Sequence, residues 1–243
     1  MSVKIQWLGQ AGFLITSPSQ KTIAIDPYLS NTCQALVGYK RMVPAPICID
    51  SFTPDFLLVS HEHPDHLDTD LLPYLAAHGQ THIYYNPGSE KYLADSSLTA
   101  PNATVISAGE SIHLGDVTVS TLRADHGDAA PDALGFILNV DGITIYFAGD
   151  TALTPDLLMP AIDIKPDIAL LPINGMYGNL GSEDAAQLAA LLQCKIVIPC
   201  HFGMFVEHGG NPLSFSDQMQ KHPDIKVNFL SLGETAIYDK SNF

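Results

Sequence analysis

Alternating apolar and polar positions open the chain, and continuous apolar runs follow in its middle. Lys4-Ile5-Gln6-Trp7, Gly12–Thr16 and Thr22–Asp26 read as three short strands, the second and third joined through Pro18 and Gln20 as a hairpin. Residues 28–54 carry no period and many prolines, and so long a connection is usually functional. Phe56-Leu57-Leu58-Val59 reads as a buried strand, 69–77 as a helix, 81–85 as a strand and 88–95 as a short helix. Val105-Ile106, 111–114 and 117–122 read as strands separated by turns at Gly109 and Gly115-Asp116. The runs 134–140 and 143–147 flank Asp141-Gly142, a two-residue hairpin signal. A strand over 168–173, a helix over 182–192 with Ser182 as N-cap and acids in its first turn, and a strand over 195–199 come next. A helix near 214–221 and closing strands from Val227 and Thr235 end the pattern. Strands fall in two clusters with helices between them, which predicts an α/β (α+β) sandwich of two mixed sheets with helices outside.

The 243 residues, 46% hydrophobic and only 15% charged, can bury a sizeable core, and no linker divides them, so 1–243 reads as one domain. Met1 to Trp7 enter a strand pattern at once, without a leader, and no apolar run reaches membrane-spanning length, so a cytoplasmic location with no membrane partner is expected. The four cysteines form no C-x-x-C pair and read as free thiols, with Cys200 pointing into the core. A formal charge of −15 repels phosphate backbones, which disfavours nucleic acid as a partner. A small-molecule substrate fits better, and a homo-oligomer is compatible with the composition.

The chemistry gathers after the fourth strand. Ser60-His61-Glu62-His63-Pro64-Asp65-His66 offers four metal donors, His61, His63, Asp65 and His66, within six residues of a loop that leaves a strand end. Alone it could be a histidine-rich polar loop, but His126, Asp150 in Ala148-Gly149-Asp150-Thr151, and His201 each follow a strand-like run. His78, His82 and His113 fall on the scaffold, His113 facing solvent.

The order H-x-H-x-D-H, later His, later Gly-Asp-Thr and last His resembles the metallo-β-lactamase superfamily. Among its branches the chain is similar to the L-ascorbate-6-phosphate lactonase-like metallohydrolases through Trp7-Leu8-Gly9-Gln10-Ala11-Gly12, Ile25-Asp26-Pro27-Tyr28, Lys40 to Pro46, Leu171 to Gly175, Gly178-Asn179 and Glu183 to Ala186. The resemblance implies a four-layer αββα sandwich. It also implies one cation on His61, His63 and His126, a second on Asp65, His66 and His201, and Asp150 between them. Asp26 would support the histidine loop, although it also fits a turn-initiating Asp-Pro. The all-N/O donor set suits one or two divalent ions, Zn(II) or Mn(II) first and Fe(II) or Co(II) also. Asp65 and Asp150 would serve catalysis, Asp65 passing a proton to the leaving alkoxide. Asn174, Asn179 and His208 would line the pocket, with Asn174-Gly175 equally a plain turn. Arg41 and Arg123, the only two arginines, stand beside site segments, and a guanidinium grips phosphate or carboxylate with paired hydrogen bonds. The expected function is therefore hydrolysis of a small anionic lactone, phosphorylated or carboxylated, or of a related ester. A phosphodiesterase on a small or lipid-like substrate, and a non-hydrolytic metal-binding or redox di-iron protein, remain open beside it.

Overall fold

The computed structural model describes residues 2–78, 80–95 and 102–243, so Met1 lies outside it. Seven strands form a first sheet: β1 (Val3–Gly9), β2 (Gly12–Thr16), β3 (Thr22–Ile25), β4 (Phe56–Val59), β5 (His82–Tyr85), β6 (Ala103–Val105) and, from the far end of the chain, β14 (Thr235–Tyr238). Its order is β14-β1-β2-β3-β4-β5-β6. The second sheet comprises β7 (Ser111–Leu114), β8 (Val117–Arg123), β9 (Leu134–Val140), β10 (Ile143–Phe147), β11 (Ile168–Pro172), β12 (Ile196–Cys200) and β13 (Lys226–Val227), in the order β13-β12-β11-β10-β9-β8-β7. Both sheets follow one plan. From β14 to β3, and from β7 to β10, neighbours are antiparallel; from β3 to β6, and from β10 to β13, they are parallel.

The period of two decides which residues fill the space between the sheets. Val3, Ile5 and Trp7, Phe13 and Ile15, and Ile23 and Ile25 point inward from the first sheet. They meet Val117, Val119, Phe136, Leu138, Ile145, Phe147, Leu170 and Ile198 of the second, with Cys200 in the same cluster. Each such large aliphatic or aromatic side chain contributes roughly 1.5–3 kcal/mol by leaving water. The outer faces are covered by helices. Leu71, Leu72 and Leu75 of α2 (Leu71–His78) pack on Leu57, Val59 and Ile83, with Leu93 of α3 (Glu90–Asp95) beside them. On the other side α4 (Pro155–Ile164), α5 (Ser182–Leu192) and α6 (Pro212–Met219) cover Ile137, Tyr146, Ala169, Leu171 and Val197. The result is the four-layer αββα sandwich.

Two elements depart from the sequence pattern. The aperiodic stretch 28–54 contains a short helix, α1 (Thr32–Val37), closed by Gly38 at φ 80°. α4 was not expected, because Pro155 and Pro160 interrupt its period; Pro155 opens the helix, where its missing N–H costs no bond, while Pro160 lies inside it. Among the described residues no helix is long and apolar enough to cross a membrane.

Candidate metal centre and its cavity

The loops that carry the predicted donors all leave the carboxyl ends of strands, and the two sheets bring those ends together. Two backbone hydrogen bonds join the halves there: Leu134 N donates to Ser60 O at 3.0 Å, and His201 N to Gln10 O at 2.8 Å. Three of the residues at this end, Gln10, Asp26 and His201, hold positive φ of 51°, 45° and 59°, a conformation costly for residues with a Cβ and common where function fixes the backbone. Gly149 reaches φ +67°, and a Cβ there would stand 2.6 Å from Leu134 O, so glycine is required for the turn that delivers Asp150.

His61 Nε2 lies 3.0 Å from His63 Nδ1, which lies 3.2 Å from His126 Nε2. Asp65 Oδ2 lies 3.3 Å from His201 Nε2 and 3.6 Å from His66 Nε2. Within each of these two triads, and within a third formed by Asp26, His61 and His66, the donor atoms lie inside 4.8 Å of one another. The third is already used by hydrogen bonds: Asp26 accepts from Ser60 N at 2.7 Å, from Ser60 Oγ, and from His66 Nδ1 at 2.8 Å. Because the Ser60 hydroxyl proton goes to Asp26, its oxygen accepts from His61 Nδ1 at 2.9 Å. Both contacts leave the Nε2 lone pair of the ring facing the centre.

Asp150 stands between the triads. Its Oδ1 is 3.3 Å from both His66 Nε2 and His201 Nε2, and its Oδ2 is 3.8 Å from His126 Nε2. Asn179 Nδ2 donates to Oδ2 at 2.7 Å, so the asparagine expected to line the pocket does not line it but holds the Asp150 carboxylate from behind. Gln10, buried in the β1–β2 turn, was singled out for no role by the sequence pattern. Its Nε2 donates to Asp65 Oδ2 at 2.7 Å and to His208 Nδ1 at 2.8 Å, and reaches both ring nitrogens of His201. His208 stacks on His201 with ring centroids 5.2 Å apart.

The residues fit a divalent cation. Lone-pair nitrogens 3.0 and 3.2 Å apart repel unless a proton or a cation stands between them, and His66 Nε2, His126 Nδ1 and Asp150 Oδ1 are buried without a hydrogen-bond partner. Burial holds His61 well below the usual histidine pKa, and His63 and His126 below it, which keeps those rings neutral and able to bind. Burial also pulls down His66 and His201, but the Asp150 and Asp65 carboxylates outweigh it, raising His201 to about 9 and His66 well above its ordinary value. Burial would raise Asp65 and Asp150; His66 and His201 hold both well below the carboxylate range. A divalent ion binding at the second triad would displace any proton held there.

A cavity of about 240 Å³ opens onto both triads, lined by Cys33, Val37, Tyr39, Pro64, Ala129 and Tyr177 together with His63, Asp65, His126, Asp150, His201 and His208. No lysine or arginine lines it among the described residues. Three sequence expectations are corrected here. The Arg41 guanidinium donates to Val43 O and Ser30 O at 2.8 Å each and lies over the Tyr28 ring, pinning the loop rather than facing the cavity. Arg123 lines a separate cavity with Pro87, Ser107 and Pro131 to Leu134. Asn174 is buried beside the turn, with Nδ2 directed to Met176 O at 3.4 Å, and does not line the cavity. His113 is exposed on β7, as its alternation predicted; His78 bonds Tyr74 O and His82 bonds Thr104 Oγ1, both away from the centre.

Residues 4–201 match the family described as the beta-lactamase superfamily domain. A UPF0173 metal-dependent hydrolase of Myxococcus xanthus is 32% identical, the alignment covering 90% of this chain and 77% of that protein. A metallo hydrolase of Ignicoccus hospitalis has a similar structure, with TM-score 0.77, 23% identity, and 98% and 99% of the two chains covered. An isothiocyanate hydrolase from Delia radicum gut bacteria is also similar, with TM-score 0.78, 22% identity, and coverage of 96% and 98%.

Proposed function

This chain belongs to the β-lactamase superfamily and, within it, to the UPF0173 metal-dependent hydrolases, and from that membership we propose that it uses water to open a small lactone or a related carboxylic ester. The observation that carries the reading is the position of Asp150, one oxygen toward His66 and His201 and the other toward His126. A carboxylate so placed supports a two-cation centre, with His61, His63 and His126 on one side and Asp65, His66 and His201 on the other. Divalent ions held there, Zn(II) or Mn(II) first and Fe(II) or Co(II) also suited to N and O donors, supply Lewis acidity to a carbonyl and acidify water towards neutral pH.

The remaining steps belong to side chains. Asn179 fixes the rotation of Asp150, and Asp26, through His66 Nδ1, fixes that of His66. Gln10 restrains one oxygen of Asp65, which lines the cavity. The Asp65 carboxylate takes a proton as the water oxygen bonds to the carbonyl carbon, and returns it to the ring oxygen as the acyl C–O bond breaks, leaving a hydroxy acid. The cavity wall favours a carbonyl substrate over a phosphodiester, since among the described residues no lysine or arginine lines it to meet phosphate charge. An anionic substituent would meet only the bound cations. A core shared by both sheets supports reading 1–243 as one catalytic domain.

The test is steady-state kinetics of the Zn(II)- and Mn(II)-loaded protein on neutral lactones, phosphorylated lactones and phosphodiesters. Lactone hydrolysis is expected, lost after chelation and reduced at least about 100-fold in His61→Ala and His201→Ala, the scale set by removing a group that holds the metal or its support. Turnover of phosphodiesters alone, or full lactonase activity after chelation, would overturn the assignment.

A further inference from the structure

Apolar side chains from two separate segments line the mouth of the cavity. α1 and its following loop bring Leu36, 60% exposed, and Val37 and Tyr39, which line the opening. The turn after β11 brings Tyr177, 51% exposed, which also lines it; Met176, next to Tyr177, and Val206, two residues before His208, are 45% and 77% exposed. These segments are tied together over the cavity. The Tyr39 and Tyr177 hydroxyls hydrogen-bond at 3.0 Å, and both rings stand edge-on to His208 with centroids 5.4 Å away. Tyr177 holds φ +57° between Gly175 and Gly178, both also at positive φ, so the turn presents its ring to the opening at a conformational cost.

Scattered exposed apolar residues are ordinary, but a contiguous set around one cavity marks a binding surface. The cavity, about 240 Å³, is smaller than the roughly 300–1,000 Å³ of pockets that surround a drug-sized ligand. An ester or lactone group fits inside, and whatever it carries must lie on the rim. No lysine or arginine lines the cavity among the described residues, and Arg41 gives its Nε and Nη1 to backbone carbonyls.

We propose that the rim of Val37, Tyr39 and Tyr177 binds an uncharged apolar substituent of the substrate, an alkyl chain or aromatic ring, and sets specificity by its length. This rests on the hydrolytic reading above and names its substrate class. Tyrosine suits the role because it offers a broad apolar face with few rotatable bonds, so little freedom is lost on contact.

The experiment separates binding from turnover. γ-Lactams bearing straight alkyl tails from propyl to decyl, which resist hydrolysis, are titrated by calorimetry into the metal-loaded protein, alongside kinetics on the matching lactones. Kd should fall up to roughly fourfold per added methylene until the chain outgrows the rim. Val37→Asp should flatten that series, whereas Tyr177→Phe, which removes only the hydroxyl, should keep its slope. A flat series in the wild type overturns the proposal even if the lactones are hydrolysed, and a steep one supports it even if they are not. Sedimentation velocity and flotation with phosphatidylcholine vesicles complete the test. A dimer dissociated by Leu36→Asp and Val206→Asp, or vesicle binding lost in them, together with a flat series, would assign the rim to a second copy or to a lipid surface instead.

Discussion

Asp26 does not line the cavity, yet its carboxylate settles which nitrogen His66 turns to the centre and, through Ser60, which one His61 does. Asp26→Asn keeps the shape but offers one acceptor oxygen where three donors converge. Cation affinity, measured by competition with a chromogenic chelator, should fall about 10–100-fold while the far-UV spectrum is unchanged. Unchanged affinity would reduce Asp26 to a turn residue. At this scale the sequence was legible where chemistry is concentrated. Four donors in six residues, with three more after strand-like runs, have few other uses. Gln10 escaped because an amide between Gly9 and Ala11 carries no signature of its own, and its partners are 55, 191 and 198 residues away. Arg41 and Arg123 misled for the converse reason: closeness to site residues in sequence does not set where a long side chain points.

Among the elements, strands followed the period of two faithfully because each sheet is buried on both faces or alternates cleanly. Helices were harder to read wherever proline or shortness erased the period of 3.6, as in α4 and α1. The loop before β4 shows what holds such elements in register. Asp55 accepts from Thr22 N, Thr22 Oγ1 and Lys21 Nζ, at 2.8–2.9 Å, while its own carbonyl accepts from His82 N, so one residue ties the starts of β3, β4 and β5. Burial would raise its carboxyl, but the Lys21 and Thr22 contacts outweigh it and depress the pKa below 3.8. A carboxylate depressed on folding contributes stability at neutral pH and loses it as pH falls through the folded value. Asp55→Asn should therefore melt lower than the wild type at pH 7, with the gap closing below about pH 4. A constant gap across that range would mean that the charge contributes nothing.

In the whole molecule, the repeated plan of the two sheets puts Asp26 after β3 and Asp150 after β10, at matching positions of the two halves, with different tasks. One holds a ring through its outer nitrogen; the other stands between the two triads. Neither half owns the centre: Gln10, the histidine loop and Asp65 come from the first, and His126, Asp150, Asn179 and His201 from the second. That division was invisible along the chain, since hydrophobic period specifies faces and not which strand ends meet.

The two backbone bonds from Leu134 to Ser60 and from His201 to Gln10 act as a latch at one end of the sandwich. A clamshell latched there can breathe only from its opposite rim, so solvent should reach the latch last. Hydrogen exchange should find the Leu134 and His201 amides opening only with global unfolding, and slower still with Zn(II) bound, by the free energy that ligand binding adds to the folded state. Fast exchange at both amides would mean that the halves part at the centre itself, and that substrate could enter between the sheets instead of over the tyrosines.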